Sequence, residues 1–495
     1  MTRRCALIAV ALLATRSAVG TAQGYRVRVD ARAQAVSFRG LVSDSIPVGE
    51  TVTGPTGGPE TPDGFAVRCS GGEYCFFFRP GPELRGVPVT TSASVILWGL
   101  GVPGLTVRAT GRVVGDLGGD EVWPGSDPAV QFLEGFVEYQ RSSIVARAGR
   151  QLMASRLEPL GFDGAWVKYR WVDISLELTG YGGWGLAQAA ALPVSSQSLN
   201  PLDEWRPRDR QIVAGLETAW LYRAVDVRAE YRREVDPADW NIVSERAGLS
   251  FGAPAWRLPV RIAGGLDYNI AQAHLGSADV RLTYARPRYA VSAGARRYRP
   301  YFSLWTLWSA FSPVPHNGVN VSAEFHATSR LSLRARGEAY QYENADVSTG
   351  LVPQLEDNGW RASAGGTATL SPRWTIDADA GVERGPGAAG QYGNAAVSWM
   401  PNDQYSFDLY GGTVERPLEL RYYDATSYWI GGRAERFLRG QRGVWADVAF
   451  VDDDRDRPDA AASSLSQIRV RTGITLSFGS SADRMPLPPA TRPGP

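Results

Sequence analysis

From about Pro103 to Phe478 the chain alternates apolar and polar residues, in successive stretches whose length of about ten residues is that of a membrane-crossing strand. Successive side chains of a β-strand point to opposite faces of the sheet, so each stretch predicts a strand with one apolar and one polar face. The clearest example is the last, where one face would carry Ile468, Val470, Thr472, Ile474, Leu476 and Phe478, and the other Arg469, Arg471, Gly473, Thr475 and Ser477.

Short turns and longer polar loops alternate as the connections between these predicted strands. Short turns are predicted at positions such as 223–224, 286–288 and 371–373, and long loops at 116–128, 186–209, 300–318, 343–358 and 452–466. This arrangement is typical of outer-membrane barrels, where the short turns face the periplasm. It predicts about 20 strands after Gly104, or about 22 if residues 92–98 and an earlier segment join the wall, within a range of about 16–22.

The N-terminus predicts export. Arg3 and Arg4 precede a short apolar run, and Gly20-Thr21-Ala22 offers a cleavage site before Gln23, so residues 1–22 are predicted to be a signal peptide. No later stretch approaches the roughly 18 apolar residues of a membrane helix. Strands that are apolar on one face cross a membrane only in a closed barrel. The fold class predicted is therefore all-β, a transmembrane antiparallel up-and-down β-barrel formed by residues 103–478.

Residues 23–102 differ from the rest, because a Gly/Pro/Thr-rich segment at 48–64 interrupts their strand-like stretches. We interpret this part as a small N-terminal β-region or an elaborated first hairpin. Cys69 and Cys75 bracket Gly71-Gly72, a turn signal that would bring the two thiols together. A disulfide is the expected state in an oxidising compartment. A redox pair lacks the CxxC spacing, and a metal site would have only two thiols and no nearby histidine.

Taken together, the chain resembles Gram-negative outer-membrane β-barrel proteins of porin-like size. The resemblance is one of pattern over about three quarters of the sequence, and no motif specific to one family accompanies it. It implies that Phe478 stands where such barrels carry the terminal aromatic that the insertion machinery recognises. This chain continues through residues 479–495, a Pro-rich tail that we expect to be disordered. The resemblance implies an outer-membrane location, with both termini in the periplasm.

The polar faces of the predicted strands are strongly charged, although the formal net charge of the chain is only +1 and gives no reason to expect a nucleic-acid partner. Two interpretations stand side by side. The charges form the transverse field of a pore, or they form cross-strand ion pairs that stiffen the wall. The lumen-lining candidates are Arg108, Arg112, Glu134, Glu138, Arg147, Asp226, Arg228, Glu230, Arg232, Arg334, Arg336, Glu338, Asp377, Asp379 and Glu383.

The loop at 300–318 is rich in aromatic residues next to a run of arginines. Tyr301, Trp305 and Trp308 are candidates for a constriction in the lumen or for stacking on a ligand. The same composition is compatible with a hydrophobic cap over neighbouring loops.

The function predicted is passive diffusion of small polar solutes across the outer membrane, with membrane lipid, the solutes and the barrel-insertion machinery as partners. Alternatives are a plugged or gated transporter, a secretion conduit, or a structural or surface-binding barrel. An outer-membrane hydrolase is disfavoured because the chain has only three histidines and no arrangement of a base with partners. A soluble propeller lacks its blade repeat. No cofactor and no metal site are predicted.

Overall fold

The computed structural model describes residues 24–54, 57–118, 130–157, 160–186, 211–255, 258–298, 316–343, 358–385, 390–419, 422–438, 441–455 and 464–480. These residues form β-strands, connecting turns and one 3₁₀ turn, Val48–Glu50. The first strands are β1 (Gly24–Pro47), β2 (Val52–Thr53), β3 (Pro59–Glu60), β4 (Arg68–Cys69), β5 (Tyr74–Gly86), β6 (Pro88–Trp98), β7 (Leu105–Asp116), β8 (Val130–Arg141), β9 (Ile144–Met153), β10 (Leu160–Trp171), β11 (Leu176–Gly185), β12 (Ile212–Tyr222) and β13 (Val225–Val235). They are followed by β14 (Ile242–Pro254), β15 (Val260–Asn269), β16 (His274–Arg286), β17 (Tyr289–Tyr298), β18 (His316–Thr328), β19 (Leu331–Tyr342), β20 (Asn358–Ser371), β21 (Trp374–Arg384), β22 (Gly390–Asn402), β23 (Tyr405–Glu419), β24 (Tyr422–Leu438), β25 (Arg442–Arg455) and β26 (Leu465–Gly479).

The strands close into a ring of 22. From β6 to β26 each strand pairs antiparallel with the next, and the first half of β1 closes the ring between β26 and β6. The predicted fold class is confirmed. Twenty strands follow Gly104, and two earlier ones complete the wall.

The two faces of the wall differ in chemistry. Contacts between strands two apart identify the inner face, because side chains converge only on the concave side of a curved sheet. Arg334 of β19 reaches Asp377 of β21 at 3.0 Å, and Tyr410 of β23 donates to Asp447 of β25 at 2.6 Å. Side chains at the alternate positions of each strand point outward, and a barrel of this kind turns them toward lipid. Exposed apolar residues on this outer face include Leu216, Val280, Leu409, Ile430, Val448, Val470 and Phe478.

The connections at the two ends of the barrel differ in length. Between β8 and β9, β12 and β13, β16 and β17, and β20 and β21 only two residues intervene. At the other end the connections include residues 117–129, 186–211, 299–315, 343–357 and 456–464, which agree with the five predicted long loops. Gly24 and Gly479 both lie at the short-turn end, where Arg26 pairs opposite Gly479.

The N-terminal part of the chain is divided differently from the prediction. The boundary drawn at residues 102 and 103 has no counterpart in the sheet, because residues 24–35 of β1 and all of β6 are wall strands. Beyond them, residues 36–47 of β1 leave β26 and pair with β5, which forms a two-stranded extension at the long-loop end. We name residues 36–86 the arm.

The arm has a small core of its own. Cys69 and Cys75 are joined by a disulfide, and Cys75 is fully buried. On the same face as Cys75, the ring of Phe77 packs 5.8 Å from that of Phe65, centroid to centroid. The arm is therefore a folded extension of the wall, and its attachment through β1 and β6 makes it continuous with the barrel.

No helix in the part of the chain that the structure describes is long and apolar enough to cross a membrane.

Candidate functional site: the inner wall of the barrel

The inner face of β7, β8 and β9 carries five of the predicted lumen residues, arranged in pairs across strands. Arg108 lies 3.2 Å from Glu134, and Arg147 binds Glu138. Arg112 donates from Nε to the side-chain oxygen of Gln131 at 3.0 Å. Neighbouring strands stand about 4.8 Å apart, so opposed long side chains on one face meet without distortion.

The inner face of β13 carries the next four. Arg228 lies 3.5 Å from Glu217, and Glu230 accepts a hydrogen bond of 3.4 Å from the Tyr181 hydroxyl. Asp226 binds Arg261 of β15, two strands away. Arg232 is buried and donates to the backbone carbonyl of Leu157, which belongs to the connection between β9 and β10.

The remaining six candidates lie on β19 and β21. Glu338 has a fully buried side chain, and its carboxylate accepts hydrogen bonds from Arg296 at 2.8 Å and from Arg361 at 2.9 and 2.7 Å. Arg334 forms a two-pronged ion pair with Asp377 at 3.0 and 3.1 Å and lies 3.9 Å from Asp379. The other two contacts are a 3.7 Å approach of Arg336 to Glu338 and a 2.8 Å hydrogen bond from Tyr340 to Glu383.

Both interpretations of these charges thus find support in the same residues. Each of the 15 candidates has a polar partner within the wall, as the stiffening interpretation expects, and Arg232 also binds the connection between β9 and β10. Several of them also keep much of their surface open, including Arg108, Arg228 and Arg336.

A row of arginines lies at the closing seam of the barrel, and the strand pattern predicted only part of it. Arg26, Arg28 and Arg32 of β1 share the inner face with Arg469 and Arg471 of β26. Arg469 and Arg471 were predicted on the polar face of the last strand, whereas the three arginines of β1 were not, because residues 23–102 were assigned to a separate region. Together with Arg108 and Arg112 on β7, these arginines extend along one side of the wall from the short-turn end to the long-loop end. Guanidinium groups stay charged at any physiological pH. Part of this positive charge is offset within the wall, because Arg28 pairs with Asp30, Arg108 with Glu134 and Arg471 with Asp447.

An inward-folded loop on the same wall was not predicted from the sequence. The connection between β9 and β10 turns into the barrel at Ala154–Leu157, and Arg156 reaches Asp279 of β16 at 2.6 Å and the carbonyl of Leu266 at 3.2 Å. The carbonyl of Leu157 accepts hydrogen bonds from Arg232 and Arg246. We name residues 154–157 the inner loop. Its short, unremarkable sequence gave no signal, because its position depends on strands that are far away along the chain.

An apolar cluster on the inner face lies at the base of the inner loop. Phe162 and Val213 are almost fully buried, and Tyr181 packs with its ring 5.7 Å from that of Phe162. Leu160 completes the cluster next to Met153, the last residue of β9. An apolar core inside the barrel excludes water from one side of the lumen and gives the inner loop a firm base.

The predicted constriction residues Tyr301, Trp305 and Trp308 lie outside the described residues. Their contribution to the lumen stays a prediction.

No family model matches the sequence, and no curated protein matches it either. Solved structures of similar fold include the siderophore receptor PirA from Pseudomonas aeruginosa, with a TM-score of 0.50, 11% identity, and coverage of 92% of this chain and 80% of that one. A mutant of the ferric enterobactin receptor PfeA from the same organism matches with a TM-score of 0.53, 10% identity, and coverage of 92% and 80%. The chain has the closed-barrel fold of Gram-negative outer-membrane proteins.

Proposed function

We propose that this protein is a non-enzymatic outer-membrane channel for the passive diffusion of small polar solutes. The observation that carries the proposal is the closed ring with its charged inner face. Within the described residues, every strand longer than two residues belongs to the ring or to the arm. Among the described residues no further strand forms a separate plug, which supports the proposal.

The expected width of the barrel is large. With 22 strands, a spacing of about 4.8 Å and a tilt of about 40°, the backbone ring would be about 44 Å across. The inner loop and the long arginine side chains fill part of this space. A passage narrowed in this way would admit small hydrated solutes and would hold them close to fixed charges of both signs.

The proposed orientation has the short turns and both ends of the barrel on the periplasmic side, as in bacterial outer-membrane barrels generally. In support, the first and last strands meet at the short-turn end, where the Tyr25 N–H donates to the Ser480 hydroxyl at 3.1 Å. The arm and the long loops would then face the outside of the cell. Lipid would cover the apolar outer face, and Phe478 remains the candidate signal for the insertion machinery.

A gated or plugged transporter is the second candidate. A ring of 22 strands is the size that outer-membrane transporters use with a plugged lumen, whereas diffusion porins commonly have 16–18 strands. The similar structures named above are receptors, which favours this candidate at the level of the fold. In such a transporter the inner loop would be part of a gate. The arm, as an external extension, keeps a structural or surface-binding role as a further alternative.

Single-channel conductance in a planar bilayer separates these candidates. The purified, refolded protein would be compared with a variant in which a short Asn-Gly turn replaces residues 37–85. This variant removes the arm and keeps both β6 and the half of β1 that belongs to the wall. A larger deletion, of residues 25–102, would remove these two wall segments.

Large, stable current steps from the full-length protein are expected for a diffusion channel. Silence from the full-length protein with steps from the armless variant would favour a gated transporter in which the arm closes the pore. Silence from both, with folding shown by a heat-dependent shift in gel mobility, would overturn the channel proposal.

A further inference from the structure

A shallow groove of about 340 Å³ lies on the inner wall across β17–β22. The pairing register sets Ser292, Ser322, Arg336 and Ser363 side by side on four consecutive strands, β17 to β20. Short side chains on either side of one long arginine leave open space next to the guanidinium group. The volume is within the range of small-molecule sites, about 300–1,000 Å³.

The same row ends at an aromatic wall. Ser363 pairs opposite Gly381, and Gly381 opposite Tyr392. A Cβ atom at Gly381 would stand 2.4 Å from the Cε1 atom of Tyr392, so the ring lies directly over this glycine. The absence of a side chain at position 381 thus lets Tyr392 close the groove on one side.

Arg336 keeps unused hydrogen-bonding capacity. Its side chain is 57% exposed, and it approaches Glu338 only to 3.7 Å, which is too long for a hydrogen bond. The Glu338 carboxylate is already engaged by Arg296 and Arg361 at 2.7–2.9 Å. A guanidinium carries five N–H donors, so several of those on Arg336 are free to bind a solute.

Glu324 is the exposed acidic residue of the groove, as Arg336 is its exposed basic residue, and it lies on the side of the groove nearer the short-turn end. Its side chain is 53% exposed, and its Oε1 atom lies 3.5 Å from Nε2 of His326 and 3.4 Å from the hydroxyl of Ser332. Both contacts are long for hydrogen bonds. Arg334, which faces Glu324 in the register, is held by Asp377 at 3.0 and 3.1 Å.

No ion pair within the described residues joins Arg336 to Glu324. They are diagonal neighbours on β19 and β18, a relation that separates Cβ atoms by about 7–8 Å. The Arg336 side chain approaches Glu338, and the Glu324 side chain approaches Ser332. The groove between them therefore offers the exposed Arg336 and Glu324 groups, with the Ser322 hydroxyl, which shares a hydrogen bond of 2.7 Å with Ser292, between them. Its other two charged residues, Arg334 and Asp379, lie 3.9 Å from each other, and Arg334 is held by Asp377.

We propose that this groove is a binding subsite for small zwitterions of the size of a free amino acid. Arg336 receives the carboxylate, Glu324 receives the ammonium group, and the hydroxyls of Ser322 and Ser363 complete the contacts. A simple anion would meet the repulsion of Glu324, and a simple cation that of Arg336, so the pair selects a ligand with both charges. This inference rests on the proposed diffusion function and specifies the class of solute.

The test measures the block of single-channel current by three solutes: glutamine, gluconate and glucosamine. Gluconate has the carboxylate without the ammonium group, and glucosamine the reverse. We expect glutamine to block at the lowest concentration. R336Q and E324Q each remove one charge-assisted hydrogen bond to the ligand, so each should raise the half-blocking concentration of glutamine by about tenfold.

The two variants should act oppositely on the single-charge solutes. E324Q should strengthen block by gluconate, and R336Q should strengthen block by glucosamine. R228Q is the matched control, because Arg228 is also an exposed inner-wall arginine with a loose carboxylate partner, Glu217 at 3.5 Å. Equal block by all three solutes, or the same effect from R228Q as from R336Q, would overturn the subsite.

A second measurement separates this inference from the proposed function. Saturation-transfer NMR on the detergent-solubilised protein reports glutamine binding whether or not current flows. Transfer that disappears in R336Q and E324Q but persists in R228Q would support the subsite even if the bilayer stays silent. Current without discrimination among the solutes, together with transfer unchanged by the variants, would leave the channel standing and refute the subsite.

Discussion

Replacing Glu338 with glutamine should make the proposed channel more selective for anions and the barrel less resistant to heat. The side chain of Glu338 is fully buried, whereas those of Arg296 and Arg361, which bind it, are 33% and 40% exposed. Removing one partner from a buried ion pair costs about 3–5 kcal/mol. Because both arginines also meet water in the lumen, we discount this to about 1–3 kcal/mol.

The effect on selectivity follows from the charge left behind. A unit charge about 10 Å from the path of an ion contributes about 0.4 kcal/mol in water, with opposite sign for anions and cations. The ratio of anion to cation permeability should therefore rise about fourfold at very low salt. At about 0.1 M salt, screening over a Debye length of about 10 Å reduces this to about twofold.

The assay is the reversal potential under a salt gradient, measured at two ionic strengths, with gel mobility after stepwise heating as the stability readout. E245Q is the control, because Glu245 lies on the outer-face parity of β14, next to the Tyr231 hydroxyl, and its loss changes the net charge equally. A reversal potential that does not move in E338Q, or that moves as far in E245Q, would refute the assignment of Glu338 to the lumen wall.

Three further predictions concern other parts of the barrel. R156A removes the contacts of the inner loop to β15 and β16, so single-channel current should become larger and noisier, whereas R261A, an inner-wall change remote from the loop, should leave the noise unchanged. An arginine on the lipid face at mid-membrane costs about 2–4 kcal/mol. V280R should therefore lower the heat resistance of the barrel clearly, and T283R, which faces inward, should lower it much less. Equal losses in the two variants would contradict the assignment of inner and outer faces. Loss of the arm disulfide in C75S, worth about 2 kcal/mol for so short a loop, should expose the arm to proteases without changing the heat resistance of the barrel.

The fold was predictable to a large extent because lipid and water impose a simple code. Each wall strand has an apolar face turned toward lipid, so period-2 alternation persists through 20 strands after Gly104. β1 and β6 were harder to assign. β1 runs for 24 residues and only its first half belongs to the wall, so its pattern continues smoothly into the arm. Nothing local in the sequence marks the point near Ala35 where the two parts separate.

The inner wall was predictable as a set of residue types and not as a geometry. Strand parity gave the inward side of residues such as Glu338 and Arg334. It did not reveal that Glu338 would be enclosed by Arg296 and Arg361 while Arg336 stayed open. Arg361 stands opposite Glu338 on the neighbouring strand, but Arg296 reaches it from β17, two strands away. The inner loop depended in the same way on remote partners, since Arg156 and Asp279 are separated by 123 positions in the sequence.

The seam between β1 and β26 has a consequence for the order of assembly. It joins positions as far apart as Tyr25 and Ser480, a separation of 455 residues, whereas every other wall contact of β26 is with its neighbour in sequence. Closing so long a segment of chain carries the largest entropic cost of any pairing in the ring, and pairings of high contact order form slowly. We therefore expect hairpins to form first along the chain and the seam to form last. Until then the sheet has two unpaired edges whose backbone groups lipid cannot satisfy, so we expect the nascent barrel to need a factor that shields those edges.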